Sequence, residues 1–375
     1  MRRISRRLIE AALIACWLFA GGGAAQTVSE QFMETYRAYD KAFNDGDIER
    51  AIELATETLA LGRKELGADH DKTAVLEINL AHVLMLAGKF KEAESLFVNA
   101  RKILEAQHGP SDPTLETVFR DLGEMYMLQA RFEEARRQFA AAVELMSETS
   151  AADDPKVAEL LLKLGAVEAG LDDTEAAHQA LQRALEIRKA KYGARDFRTA
   201  DVVFQQGMLD SRTGGYASAA EFYRAALAIY EQVLEPRDPR ILKAHSELAI
   251  CYEALHDPQK YAYHSDQLVS LIEDAEGDAR ALIIVQPAFP EIPEGVPSQG
   301  WVLLEYDVTA DGRVSNPRVL EGENQQLFAD AALAATEKWR FKPRMEDGKR
   351  LPQAGMRARL DFNAGEITIN VGTVE

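Results

Sequence analysis

The strongest constraint in this 375-residue chain is a spacing. Ala93, Phe97 and Ala100 recur 42 residues later as Ala135, Phe139 and Ala142, then as Ala177, Leu181 and Ala184, and as Ala219, Tyr223 and Ala226. The same interval backwards gives Ala51, Ala55 and Thr58. A second set keeps phase with the first: Leu80-Ala81, Leu122-Gly123, Leu164-Gly165, Gln206-Gly207 and Leu248-Ala249. Gly46, Gly88, Ala130 and Gly214 fall between the two sets and mark a turn. Small residues three and four apart, with one large apolar residue between them, describe helices that approach closely in pairs. A pair of this size cannot bury its apolar face alone, so successive pairs must stack.

This pattern resembles the tetratricopeptide repeat, in the 42-residue form of the kinesin light chains, whose long linkers are matched by LGADHDKT, HGPSDPTL and YGARDFRT. It covers about residues 30–275. The sixth unit departs from the pattern: Tyr261 stands where a small alanine is expected, and Pro258 is expected to interrupt the turn. The resemblance implies protein partners held on a concave face lined by the first helix of each pair. In this register the groove residues are Tyr36, Phe43, Ile78, His82, Met85, Arg120, Met127, Phe204 and Met208. Only Arg120 and Lys243 supply the cations that a carboxylate-binding version of the repeat needs, so the lining points to an apolar segment or an amphipathic helix as ligand. The alternative is that these residues only pack helix against helix.

After residue 275 the helical period stops. Pro287, Pro290, Pro293 and Pro297 follow at short intervals, reading as a linker (276–283) and an extended domain entry (284–299). WVLLEYDVTADGRVSNPRVL then reads as a hairpin turning at Asp311-Gly312. Residues 326–339 have helical spacing, and Met356, Ala358, Leu360 and Phe362 alternate as a third strand. The order β-β-α-β, Pro287 and Phe289-Pro290 before it, Asp311-Gly312-Arg313-Val314 in the turn, Trp339-Arg340-Phe341-x-Pro343 after the helix and the closing Leu360-x-Phe362 together resemble the TonB C-terminal domain over residues 284–365. In this reading Trp339 and Phe341 anchor the helix end on a three-stranded sheet, Pro343 stops the helix, and residues 366–375 are a tail. The resemblance implies a periplasmic domain that binds outer-membrane receptors by adding their short peptide as a strand. Carried onto this chain, that places the peptide along Met356, Arg357, Arg359, Leu360 and Phe362, with Gln286, Phe289 and Pro290 beside it. Phe289 stands where the family usually has tyrosine, and Glu291 and Glu294 where it often has basic residues.

The N-terminus, MRRISRR followed by LIEAALIACWLFA and GGGAAQ, reads as a secretory signal (1–25) cut after Ala25. The alternatives are lipidation at Cys16 within LIAC and an uncleaved inner-membrane anchor. Cleavage would leave Cys251 as the one cysteine of the mature chain, excluding an internal disulfide. A net charge of −18 argues against nucleic acid as partner. The charge resides in the solenoid; residues 284–365 hold ten Lys or Arg against twelve Asp or Glu. The seven histidines show no metal spacing, and no nucleophile elbow, phosphate loop or dinucleotide fingerprint occurs, so no catalytic residue, metal or cofactor is expected. The chain thus reads as mostly α: a solenoid of about six helix pairs followed by a small α+β domain. The functional expectation is a non-enzymatic periplasmic adaptor, one module holding a protein and the other a peptide, of an outer-membrane transporter in one version. The alternative is a TonB-type energy transducer supporting outer-membrane transport through a retained anchor.

Overall fold

The structure, a computed structural model, describes residues 28–151, 153–272, 277–293, 297–363 and 366–372. The expected signal, its cut after Ala25 and Cys16 lie outside the described residues.

Helices follow one another in six pairs: α1 (Glu30–Asp45) with α2 (Ile48–Glu65), α3 (Asp71–Leu86) with α4 (Phe90–His108), α5 (Leu115–Leu128) with α6 (Phe132–Thr149), α7 (Pro155–Gly170) with α8 (Thr174–Tyr192), α9 (Phe197–Arg212) with α10 (Tyr216–Val233), and α11 (Pro239–Ala254) with α12 (Pro258–Leu271). This is the tetratricopeptide solenoid. The chain divides between Lys191 and Tyr192, at the end of α8, into two compact units. The first holds four pairs, the second two pairs and the C-terminal domain.

Each pair turns through one residue in the left-handed region, and the series keeps its 42-residue step: Gly46 (φ 79°), Gly88 (74°), Ala130 (55°), Asp172 (61°), Gly214 (81°) and His256 (55°). A Cβ at Gly46, Gly88 or Gly214 would meet nothing within 4 Å, but at two glycines inside the helices space decides the residue. A Cβ on Gly123 would lie 2.7 Å from the Phe139 ring, and one on Gly207 2.8 Å from Tyr223. At Gly165 the partner is the smaller Leu181, and the distance opens to 3.3 Å. Asp154, Asp196, Asp238 and Asp257 cap their helices by accepting from backbone N–H groups two or three residues on. Pro258 does not interrupt the sixth turn as expected. It begins α12, where the N–H that proline lacks would have had no partner.

The C-terminal domain comprises β1 (Arg280–Ile283), β2 (Gln299–Val308), β3 (Val314–Glu323), α13 (Gln325–Thr336), β4 (Arg340–Lys342), β5 (Arg344–Glu346), β6 (Lys349–Leu351), β7 (Gln353–Asn363) and β8 (Glu366–Val371). Its main sheet is antiparallel with order β3-β2-β7-β8; β1 pairs with β4, and β5 with β6. One face carries Val302, Leu304, Tyr306 and Val308 of β2 with Ala358, Leu360 and Phe362 of β7. They form a single core with Phe328 and Ala332 of α13, Trp339 and Phe341.

Several sequence expectations are corrected here. The sheet has a fourth strand, because the segment read as a tail contains β8. The segment read as a linker contains β1, held by pairing with β4. The helix ends at Thr336, before Trp339 and well before Pro343. Trp339 closes the last turn by donating its N–H to the Thr336 carbonyl (3.0 Å), and Arg340–Lys342 continues as a strand.

Candidate peptide-binding site

Five of the eight residues expected to receive a peptide lie on β7, and β7 is not an open edge. It pairs with β2 on one side and with β8 on the other, where Ala358, Arg359, Leu360, Asp361, Phe362 and Asn363 face Val371, Asn370, Ile369, Thr368, Ile367 and Glu366. Arg359, Leu360 and Phe362 are therefore interior to the sheet, Arg357 accepts from the Gly372 N–H (3.2 Å) at its margin, and Met356 lies beyond the pairs with β8. The physical cause is the alternation in EITINV: Ile367, Ile369 and Val371 pack against the same core as β7, while Glu366, Thr368 and Asn370 are exposed.

Side-chain positions sharpen this correction. Leu360 and Phe362 are wholly buried. Phe289 is packed inward, its ring edge-on to Phe328 (5.9 Å) and Phe362 (6.0 Å), which stack on each other at 4.3 Å. Met356 and Pro290 are half-buried, and Gln286 and Arg357 are exposed. On the face away from the core, the Arg359 guanidinium lies 4.2 Å from the centre of the Trp301 ring and donates to Asp361 (2.9 Å). Glu305 accepts from Arg318 and, at 3.5 Å, from Arg357.

The two sheet edges differ in quality. β3 carries Pro317, has two register shifts against β2, and holds Asn316 in the left-handed region (φ 52°). Such features discourage strand addition. β8 is six residues without proline in unbroken register with β7, and among the described residues no strand covers its outer side.

The domain is seated on the last helix pair, within the second unit. The Tyr261 hydroxyl donates to the Lys338 carbonyl, and the Arg340 guanidinium stands 5.3 Å from the Tyr261 ring centre. Lys338 Nζ donates to Glu253 (2.6 Å), Arg313 to Asp266 (2.7 Å) and Arg350 to the Val269 carbonyl (3.3 Å). Ile283 of β1 enters the core of the last two helix pairs. The Asp311-Gly312 turn closes beneath them: Phe341 N–H donates to Gly312 O at 2.8 Å, and a Cβ on Gly312 would come 2.1 Å from Phe341 O. Trp339 Nε1 donates to Val285 O (2.8 Å), fixing the domain entry. Three basic residues near Trp339, Lys338, Arg340 and Arg350, thus make part of this seat.

The expected groove residues are mostly consumed by helix packing. Tyr36, Ile78, His82, Met85 and Phe204 are buried, Phe43, Arg120 and Met127 are half-buried, and Met208 is open at 36%. They do not make a continuous apolar lining. A buried polar pair lies among them: His82 Nε2 and Asp121 are 2.7 Å apart, with Arg120 at 3.3 Å from the same carboxylate. Burial alone would raise the Asp121 carboxyl, but His82 and Arg120 hold it below its ordinary range. In the second unit the histidines that meet are His245 and His264, Nδ1 to Nδ1 at 3.0 Å, under the stacked ring of Tyr252. His256 is the left-handed turn residue between α11 and α12. Burial pushes the Cys251 thiol up to about 11. Among the described residues no cluster of three or more His, Cys, Asp or Glu could hold a metal ion, and no helix is long and apolar enough to cross a membrane.

Comparison with known proteins assigns both regions. Residues 34–106, 73–143 and 114–190 match the tetratricopeptide repeat, as do residues 207–240. Residues 285–363 match the Gram-negative bacterial TonB protein C-terminal family. Protein TonB of Klebsiella pneumoniae is 27% identical over 96 residues, covering 26% of this chain and 37% of that protein. Protein TonB of Pseudomonas aeruginosa is 31% identical over 74 residues, covering 20% of this chain and 22% of that protein. The Escherichia coli protein of the same name is 34% identical over 64 residues, covering 17% and 27%. The chain thus spans well under half the length of these curated relatives. Among solved structures, BtubC (BKLC) from P. vanneervenii superposes with a TM-score of 0.50 at 21% identity, covering 66% of this chain and 98% of that one. That likeness is one of fold.

Proposed function

We propose that this chain, which belongs to the tetratricopeptide-repeat proteins and ends in a TonB C-terminal domain, is a periplasmic adaptor joining two protein partners. The helical repeats hold one partner, and the C-terminal sheet takes an extended segment of another by strand addition. The carrying observation is a sheet with one guarded edge, at β3, and one regular side, at β7 and β8. Backbone N–H and C=O groups along such a side bind any extended chain, and side-chain seats on the core face select among them. The domain family makes an outer-membrane transporter the favoured source of that segment, and the basic-apolar N-terminus supports export. The groove positions that keep exposure, Phe43, Arg120 and Met127 in the first unit and Met208 in the second, are the first candidates for contact with the repeat partner. This reading assigns the chain no reaction and no cofactor.

Amide hydrogen exchange on the full chain, with and without the periplasmic N-terminal peptide of a transporter from the same cell, tests it. Added protection confined to β7 and β8 supports strand addition. Binding that protects only the helices, or no binding by any transporter peptide, removes it.

A further inference from the structure

Resting on that strand-addition reading, we infer that β8 is a tethered occupant of the peptide-accepting edge, and that a partner peptide enters by displacing it from β7. Three observations carry this. First, β8 lies antiparallel on β7 with six consecutive residue pairs and no shift in register, the arrangement an added peptide would adopt. Second, its fit is made by three side chains only. Ile367, Ile369 and Val371 reach the core at alternate positions, whereas Glu366, Thr368 and Asn370 are exposed. Third, it is the last strand of the sheet, so its departure breaks no other strand pairing among the described residues.

The seats vacated by β8 then define the ligand. The incoming segment is extended and antiparallel to β7, with branched apolar residues at three alternate positions and polar residues between them. Side chains at Phe362, Leu360 and Ala358 lie opposite those three positions and set their size. Large aromatic residues would meet wholly buried Phe362 and Leu360, which favours isoleucine and valine there. Because β8 follows β7 directly in sequence, it competes at the high effective concentration of a short tether, about millimolar or above. The edge is consequently closed to weak or poorly matched peptides and open to a well-matched one.

The test uses a labelled synthetic peptide with β8's own sequence, AGEITINVGT, as probe. Asp361 and Thr368 face each other across β7 and β8. In the full chain carrying Asp361→Cys and Thr368→Cys, oxidation should lock β8 in place and abolish probe binding, and reduction should restore it. A second variant ending at Asn363 should bind the probe at least about tenfold more tightly than the full chain, since the tethered competitor is gone. Near-UV circular dichroism from buried Trp339 reports that each variant keeps its core. Equal binding by oxidised and reduced protein, with loss on truncation, would place the peptide on the outer side of β8 and overturn displacement while leaving strand addition standing. Failure of every folded form to bind the probe or any transporter peptide overturns both.

Discussion

The hydroxyl of Tyr261 donates to the backbone carbonyl of Lys338, tying the last helix of the solenoid to the segment that leads from α13 into β4. Tyr261 stands at the position held in the earlier units by Ala51, Ala93, Ala135, Ala177 and Ala219. Those alanines are wholly buried because a neighbouring helix passes close above them. After α12 no further repeat follows, and the tyrosine instead reaches the C-terminal domain. The departure of the sixth unit from the repeat pattern is thus the means by which the two modules join.

Replacing Tyr261 by phenylalanine should keep the ring against Arg340 and remove only the hydrogen bond, at a cost of about 1 kcal/mol. Tyr261→Ala also removes a buried aromatic and should cost about 3–5 kcal/mol. Urea unfolding gives both values. Hydrogen exchange should show β4 and β1 opening first in the alanine variant. Equal protection of β4 in all three proteins would mean that the hydroxyl and ring do not hold the seat.

Gly312 offers a sharper contrast between two left-handed glycines. It combines φ 79° with a carbonyl, Phe341 O, 2.1 Å from where a Cβ would sit, whereas Gly348 has φ 69° and open space. Gly348→Ala should cost about 1 kcal/mol, the conformational cost alone. Gly312→Ala must also push β4 away from the turn, weakening the Arg313–Asp266 and Phe341–Gly312 contacts, and should cost at least about 2–3 kcal/mol. Thermal unfolding of the two variants side by side measures the difference.

The buried histidine pair makes the last repeat acid-sensitive. Burial, with His245 and Arg224 nearby, pushes His264 down to about 4, and burial lowers His245 as well. Unfolded, each takes up a proton near 6.5, so between about 4 and 6.5 the unfolded state binds more protons than the folded one. Stability from this pair is fully present above pH 6.5 and falls as pH drops through that window. The facing groups are Tyr252, Tyr263, Arg224 and Glu231; Glu231, 3.8 Å from His245, is the only acid among them. His264→Phe keeps the stacking on Tyr252 and should shrink the difference in urea midpoint between pH 7.5 and pH 5. An unchanged difference would show that other groups set the acid sensitivity.

The solenoid was legible because its information is periodic: each Ala–large–Ala triplet repeats in fixed phase, and close packing demands those sizes at those positions. Even the turns without glycine at Asp172 and His256 fall in phase, and both residue types are enriched among the non-glycine residues that adopt the left-handed region. The small domain was legible through its hairpin, helix and Trp339-to-Pro343 run, which are local patterns. What failed were the short strands that only a pairing partner reveals. β1 is four residues whose strand character comes from β4, some sixty residues on. β8 is a short alternation that reads as a tail until β7 is placed beside it, and with β8 unrecognised β7 looks like an edge. Some groove positions were illegible in a similar way: Ile78, Met85 and Phe204 have the right spacing for a lining, but the same spacing serves packing between helices, where they are buried.

The complementarity of Gly123 and Phe139 allows a test of the packing code itself. A Cβ on Gly123 would lie 2.7–2.9 Å from three atoms of the Phe139 ring, which is 0% exposed and cannot swing into solvent. Gly123→Ala should therefore destabilise by about 1–3 kcal/mol through overpacking, despite alanine's better helix propensity. One repeat further on the chain uses a different solution, Gly165 beside Leu181, where the corresponding distance is 3.3 Å and a methyl nearly fits. Phe139→Leu alone should leave a cavity and cost about 1–2 kcal/mol, being a smaller truncation than the 3–5 kcal/mol loss to alanine. Combining Gly123→Ala with Phe139→Leu should recover much of both losses, because the added methyl occupies space that the ring has vacated. The interaction energy from the double-mutant cycle should be favourable by at least about 1 kcal/mol. Simple additivity would show that the helices shift to absorb each change separately, and that residue size at this contact does not fix the spacing of the pair.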